Sequence, residues 1–345
     1  MSDRLLSRRR LLQAGALGGA ALLGGGLGRL GLGDADATGD VADPHGGHLA
    51  AEGLTSTRDA AGPYGHLAAP PESLRADALD AVTYPPPFDG RAPGAVRTRE
   101  LTVVESQREV AAGRLLDTWS FGDTVPGPVL RATEGDRLQV TVRNRTSQPH
   151  NLHLHGAHDP LMDGWEPIPP GGEFTYDITA APFGLHPYHC HTHPLARHVA
   201  MGLYGAMIVD PPGGRPPATE VVLVLNGWDV DGDGVNELYA WNGVAGFYDK
   251  YPIKVPVGGL VRAYVVNMAE WEPVGSFHLH SQTFDVFRTG TSLTPDERTD
   301  TVTLGQGERA IVEFRLPTAG RYLFHPHQHH MAERGATGWF AAVEE

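Results

Sequence analysis

From Arg97 onward, apolar and polar positions alternate over short runs: Leu101 to Glu105, Leu115 to Phe121, Leu138 to Arg143, Phe174 to Ile178 and Gly205 to Val209. Successive side chains of an extended strand point to opposite faces, so each run offers one apolar face to a core. Gly, Pro and Asn stand between the runs, and evenly spaced short strands with turn residues between them predict an antiparallel sandwich or barrel. No long stretch carries a helical period. A second, similar set begins near Thr219 with Val221 to Leu225 and runs to Phe340. The Gly- and Pro-rich segment Pro211 to Pro217 separates the sets, which predicts an all-β chain of two sandwich domains, 95–212 and 216–345.

Upstream this pattern is lost. Residues 39–94 are rich in Ala, Gly, Pro and Asp, end near Pro85-Pro86-Pro87, and read as a flexible linker or arm. The start, Ser7-Arg8-Arg9-Arg10-Leu11-Leu12, leads into an Ala-, Gly- and Leu-rich run to Gly28 and then Arg29. It resembles a twin-arginine export signal, residues 1–38, with cleavage between Gly33 and Thr38. The run is Gly-rich and broken by Arg29, so a membrane span is the weaker reading. The mature protein is expected in the periplasm or outside the cell.

The two halves repeat. Glu134-Gly135-Asp136 and the run Leu138 to Asn144 match Val257-Gly258-Gly259 and the run Val261 to Asn267. Downstream, the segments align without a gap from His189 on His325 to Gly202 on Gly338. Duplication of one sandwich accounts for this.

Histidine spacing changes the picture most. Four His-x-His pairs occur, His153 with His155, His189 with His191, His278 with His280 and His325 with His327, two in each half at matching places. Each pair sets two imidazoles on one face of a strand, and neutral imidazole is a good copper ligand. In Tyr188-His189-Cys190-His191 the two histidines face one way and Cys190 the other, so one strand serves two metal sites. His150 is an odd number of residues from His153 and so shares the side of Cys190. His150, Cys190 and a later histidine, His193 or His198, then form the two-His, one-Cys set of a blue copper centre.

Composition narrows the class. Cys190 is the only cysteine, so no intrachain disulfide exists. With 41 Asp and Glu against 27 Lys and Arg, the formal charge of -14 argues against non-specific nucleic-acid binding. Asp229-Val230-Asp231-Gly232-Asp233-Gly234 begins like a calcium loop, but Ala240 stands at the twelfth position, which favours a solvated hairpin turn over an EF-hand.

His150-Asn151-Leu152-His153-Leu154-His155-Gly156 and His189-Cys190-His191 with His198 resemble the multicopper oxidases. The length of the two halves is similar to that of the small two-domain laccases built from cupredoxin-like Greek-key domains. The resemblance spans Arg97 to Val343. It implies that His150, Cys190 and His198 hold type 1 copper with Leu203, or else Met201, in the axial place. His153 and His278 then hold type 2 copper, and His155, His189, His191, His280, His325 and His327 the type 3 pair, about four coppers per chain. Asp163, in Leu161-Met162-Asp163-Gly164, resembles the family's acid beside the trinuclear site, where a carboxylate can relay protons; a plain turn Asp before Gly is the alternative.

In the second half Pro326, Arg334 and Gly275 replace Cys190, His198 and His150, so only the first half carries a blue site. This resembles the subgroup with type 1 copper in the N-terminal domain. It implies a homotrimer whose trinuclear sites lie between subunits, with dioxygen and a small aromatic reductant as reaction partners.

The expected function is a laccase-like oxidase of phenols or aromatic amines that reduces dioxygen to water. A copper-containing nitrite reductase is the rival; its type 2 site needs three histidines and an acid in the place of His153. A non-catalytic copper carrier needs only the blue site and leaves the second half's histidines without a purpose.

Overall fold

The computed structural model describes residues 69–344. The expected export signal and the first part of the arm lie outside the described residues.

The first half contains β1 (Val96–Ala111), β2 (Arg114–Phe121), β3 (Leu130–Thr133), β4 (Arg137–Asn144), β5 (His153–Leu154), β6 (Glu173–Thr179), β7 (Gly184–His189) and β8 (Tyr204–Asp210). They form two four-stranded sheets, ordered β2-β1-β4-β6 and β3-β8-β7-β5. The second half contains β9 (Thr219–Trp228), β10 (Leu238–Trp241), β11 (Ile253–Pro256), β12 (Leu260–Asn267), β13 (Val274–Leu279), β14 (Phe284–Arg288), β15 (Glu297–Thr299), β16 (Thr301–Gly305), β17 (Arg309–Arg315), β18 (Gly320–His325) and β19 (Gly338–Val343). Its sheets run β10-β9-β12-β17-β14-β15 and β11-β19-β18-β13-β16. This is the expected all-β architecture of two cupredoxin-like sandwiches.

The binary pattern explains the layering. Along β4, Leu138, Val140 and Val142 are buried while the residues between them are more open. β8 and β9 are buried on both faces, because each lies between two cores. Met207 and Val209 face the first sandwich's core, whereas Tyr204, Ala206 and Ile208 pack with Val222 and Val224 in a core between the halves. Val221, Leu223 and Leu225 turn into the second sandwich's core. A strand buried on both faces reads as a continuous apolar run.

Between the halves, the Arg131 guanidinium grips Asp210 with Nε–Oδ2 at 2.7 Å and Nη2–Oδ1 at 2.8 Å, and reaches Glu220 at 2.7 Å. Arg262 and the Tyr264 hydroxyl also bind Glu220. Arg131→Ala leaves the buried Asp210 carboxylate without its partner, while Glu220 keeps Arg262 and Tyr264, and is expected to cost about 3–5 kcal/mol. Urea unfolding reads this directly; a loss below about 1 kcal/mol would show that water replaces the guanidinium.

One expectation is corrected. The arm is expected to be flexible, yet its described part, 69–94, is fastened to both halves: the Leu74 carbonyl accepts from the Tyr251 hydroxyl, while the Pro86 carbonyl accepts from Arg131 and the Gly94 N–H donates to Asp136. Leu79, just before the short helix α1 (Asp80–Thr83), and Val82 within it join the second half's core, and Thr83 Oγ1 bonds the Tyr248 hydroxyl at 2.5 Å. Its apolar residues lie too irregularly spaced for a period to reveal them.

Three other short helices occur among the described residues: α2 (Leu195–Ala200), α3 (Phe247–Lys250) and α4 (His329–Glu333). No helix among the described residues is long and apolar enough to cross a membrane.

Candidate metal centres

β7 stops at His189, one residue before Cys190, but the alternation persists past its end. Cys190 is fully buried and its N–H bonds the Leu203 carbonyl at 3.0 Å, while His189 and His191 are half-buried on the other side. His150 does not lie in a continuous strand with His153; it forms an isolated bridge with Ile168. The parity still holds.

His150, Cys190 and His198 converge. Cys190 Sγ lies 3.3 Å from His198 Nδ1 and 3.9 Å from His150 Nδ1, and those two nitrogens are 3.1 Å apart. The short helix α2 carries His198 back beneath the cysteine, whereas His193 remains exposed at the turn before it. Burial first, then the neighbouring His198, pushes His150 down to about 4. Burial with the Arg197 charge does the same for His198, also to about 4. Both imidazoles therefore stay neutral with a free lone pair at ordinary pH. Burial raises the Cys190 thiol, so a metal must displace its proton. Leu203 is fully buried in the same apolar cluster as Cys190, against which Met201 also packs.

The other histidines form one half-site in each domain. Register pairs His153 with His189 across β5 and β7, and His278 with His325 across β13 and β18. His155 Nε2 faces His189 Nε2 at 3.2 Å, and His280 Nε2 faces His325 Nε2 at 2.9 Å. The far nitrogens are tied down: His189 Nδ1 donates to the Cys190 carbonyl at 2.9 Å, His325 Nδ1 to Pro326 at 2.8 Å and His278 Nδ1 to Asp300 at 2.8 Å. His153 Nδ1 donates to Asp163 Oδ1 at 2.9 Å. A proton fixed on Nδ1 leaves Nε2 bare and aimed, the arrangement that orients a metal-bound histidine. Burial, then its histidine neighbours, brings His155 to about 3; His189 and His325 fall to about 4, chiefly through burial.

The donor atoms of His150, Cys190 and His198, of His153, His155 and His189, and of His278, His280 and His325 lie within 4.8 Å of one another in each group. His191 and His327 stand beside these groups, with rings 5.4 Å from His153 and 5.1 Å from His278. A buried thiol with two neutral imidazoles, and aimed imidazoles in both halves, fit copper by donor chemistry.

Several residues escaped sequence reasoning. The Trp119 ring packs on both His150 and His198, with centroids 5.0 and 4.8 Å away. His158 Nε2 donates to the Leu154 carbonyl at 2.8 Å and lies 3.7 Å from Asp163. Only its proximity to the first pair could have drawn notice. Asp163 occupies a turn that only Gly164 permits: Gly164 has φ +74°, and a Cβ there would meet the Leu152 carbonyl at 2.3 Å. Asp163 is thus a turn residue that also bonds His153.

The acidic turn between β9 and β10 gathers Asp229, Asp231, Asp233 and Glu237. Their carboxylates accept hydrogen bonds from the turn's own amides, including Gly232, Gly234 and Val230.

Two cupredoxin-like sandwiches with these donor sets define a copper-dependent oxidoreductase. Comparison with known proteins sharpens the class. Residues 102–214 and 216–345 each match the multicopper oxidase family. A crystallised multicopper oxidase is 43% identical with a TM-score of 0.71, the match covering 76% of this chain and 92% of that one. A blue copper oxidase from Nitrosomonas europaea is 27% identical with a TM-score of 0.66, covering 72% of this chain and 86% of that one. The copper-containing nitrite reductase of Neisseria gonorrhoeae is 30% identical over 288 residues, 75% of this chain and 73% of that protein. The chain belongs to the multicopper oxidases, as a two-domain member.

Proposed function

We propose that this enzyme is a laccase-like oxidase, exported by the twin-arginine route, that takes single electrons from phenols or aromatic amines and reduces dioxygen to water. The observation that carries the reading is the full imidazole complement: His-x-His pairs converge in both halves, and His153 stands where a nitrite reductase is expected to carry an acid.

His150, Cys190 and His198 would hold type 1 copper, with Leu203 packed in the same buried cluster as Cys190. His153 and His278 would hold type 2 copper, and His155, His189, His191, His280, His325 and His327 the type 3 pair. Bound there, copper supplies one-electron transfer at the first set and multi-electron dioxygen chemistry at the second.

The chain's own residues do the rest. Burial of Cys190 and His150 and the cover of Trp119 keep water from the sulfur. The main chain of Cys190 joins that sulfur to His189 and His191 on the opposite face, a path one residue long. Asp163 fixes the proton on His153 Nδ1 and is placed to hand protons toward the half-site. Asp163→Ala is expected to lower turnover about 10- to 100-fold with the blue centre intact. Stopped-flow reoxidation by dioxygen separates this effect from substrate oxidation; unchanged reoxidation would make Asp163 a turn residue.

The half-sites point to an assembly in which one subunit's first half meets the next subunit's second half, a homotrimer by family likeness. His280 and His327 are exposed in the single chain, as are Leu161 and Trp165 beside the first half-site.

The copper-to-protein ratio of fully loaded protein tests the reading. About four per chain supports the oxidase. The nitrite reductase relatives keep a second reading in view, and about two coppers with nitrite turnover would establish it. About one leaves an electron carrier.

A further inference from the structure

Carbonyls take the Nδ1 protons of His189, His278 and His325, and Asp163 takes that of His153. His150 is different. It is fully buried, its Nδ1 is turned to Cys190 and His198, and its Nε2 has no hydrogen-bond partner among the described residues. With Nδ1 bare for a metal, the ring proton sits on Nε2, and a buried donor left unpaired is costly.

Two rings meet His150. His198 lies on its Nδ1 side, where the two Nδ1 atoms approach to 3.1 Å. The nitrogens of an imidazole diverge, so Nε2 looks elsewhere. The other neighbour is the Trp119 indole, with ring centroids 5.0 Å apart and planes at 70°. An edge-to-face contact of this kind lets an N–H point at a π face, a weak acceptor. The same indole packs on His198 at 4.8 Å.

The second half supplies the comparison. Asn144 matches Asn267 in the repeat, and these two pair with Val103 and Leu225, so β1 maps onto β9. Two residues further on, Glu105 pairs with Trp119 and Gly227 with Tyr239. Trp119 gives its N–H to Met201, which caps the C-terminus of α2, at 2.9 Å; Tyr239 gives its own to Arg334, which caps α4, at 3.0 Å. The scaffold is common to both halves and only the ring differs. Where the blue set is lost, a phenol replaces the indole, edge-on to His330 and with its hydroxyl bonded to Glu272.

We propose that Trp119 is the positioning residue of the blue centre: its π face accepts the Nε2–H of His150, in place of a carbonyl, and its packing fixes His198. The inference rests on the reading of His150 as a copper ligand through Nδ1. A carbonyl on the far proton would raise the basicity of the ligand nitrogen, whereas a π face orients the ring with little such effect.

The test uses the full chain, loaded with copper, fully reduced and labelled with nitrogen-15 in its histidines. The His150 Nε2–H signal, identified by its loss in His150→Gln, is expected upfield of the other imidazole N–H signals, because it lies over an aromatic face, and to exchange slowly with water. Trp119→Phe keeps a face, so the signal stays upfield and the blue copper is retained. Trp119→Leu moves the signal downfield and hastens its exchange. It also weakens retention of the blue copper against a chelator about 10- to 100-fold, the usual cost of losing an outer partner, with the non-blue coppers unmoved. Should Trp119→Leu fail to fold, the spectra of the wild type and of Trp119→Phe still decide. A wild-type signal in the ordinary range with fast exchange would show that water takes this proton and would overturn the inference. So would a Trp119→Phe protein that loses its blue copper as readily as Trp119→Leu, since bulk alone would then be at work. A wild type that binds no blue copper overturns the underlying reading instead.

Discussion

Cys190→Ser is expected to abolish the blue absorption band, to lower copper content by about one per chain and to reduce oxidase turnover more than a thousandfold, about 4 kcal/mol in barrier. The substitution is close to isosteric, and the new hydroxyl has an acceptor in Asn151 Oδ1, 3.5 Å from the present sulfur, so the core around Leu203 and Tyr188 has little reason to collapse. What disappears is the thiolate. A serine hydroxyl does not ionise at working pH, and the two imidazoles left behind, His150 and His198, offer a harder and weaker set. Absorption, electron paramagnetic resonance and oxygen uptake on the same sample check this. A variant that keeps its blue colour would move the blue centre away from Cys190. One that loses colour but oxidises phenols normally would show that electrons bypass it.

Complementation between two inactive chains has the second largest expected effect. One chain carries His153→Ala and His155→Ala, the other His278→Ala and His280→Ala. Each alone is expected to be dead, because either change removes two of the eight imidazoles that hold the non-blue coppers, a complete His-x-His pair. Refolded together in equal amounts, they should recover about a quarter of wild-type activity, since a head-to-tail junction pairs an intact first half with an intact second half about one time in four. The exposed His280 and His327 motivate the expectation. A mixture as inactive as its parents would place the whole site within one chain.

Much of this was legible in the sequence because a strand's period of two converts spacing into direction. His153 and His155 share a face, Cys190 opposes its flanking histidines, and duplication doubles the signal: each reading made in the first half could be checked at the matching place in the second. The run Leu138 to Asn144 was recognisable as a strand for the same reason, with Val261 to Asn267 beside it in the repeat. Double burial of β8 and β9 was less legible, since an apolar run does not say what lies on either side.

Local pattern alone determined the strands, the two halves, the four histidine pairs and the loss of the blue set from the second half. All of these depend on alternation and identity along the chain, which need no partner to be visible. Tertiary structure sets His198 rather than His193 beside the sulfur, because the turn of α2 brings a histidine back to it after the strand has ended. It also seated Leu79 and Val82 in the second core and set Trp119 against His150 and His198. These contacts join residues distant in sequence through the packing of different sheets, and no period within a single strand encodes which segment will arrive opposite it.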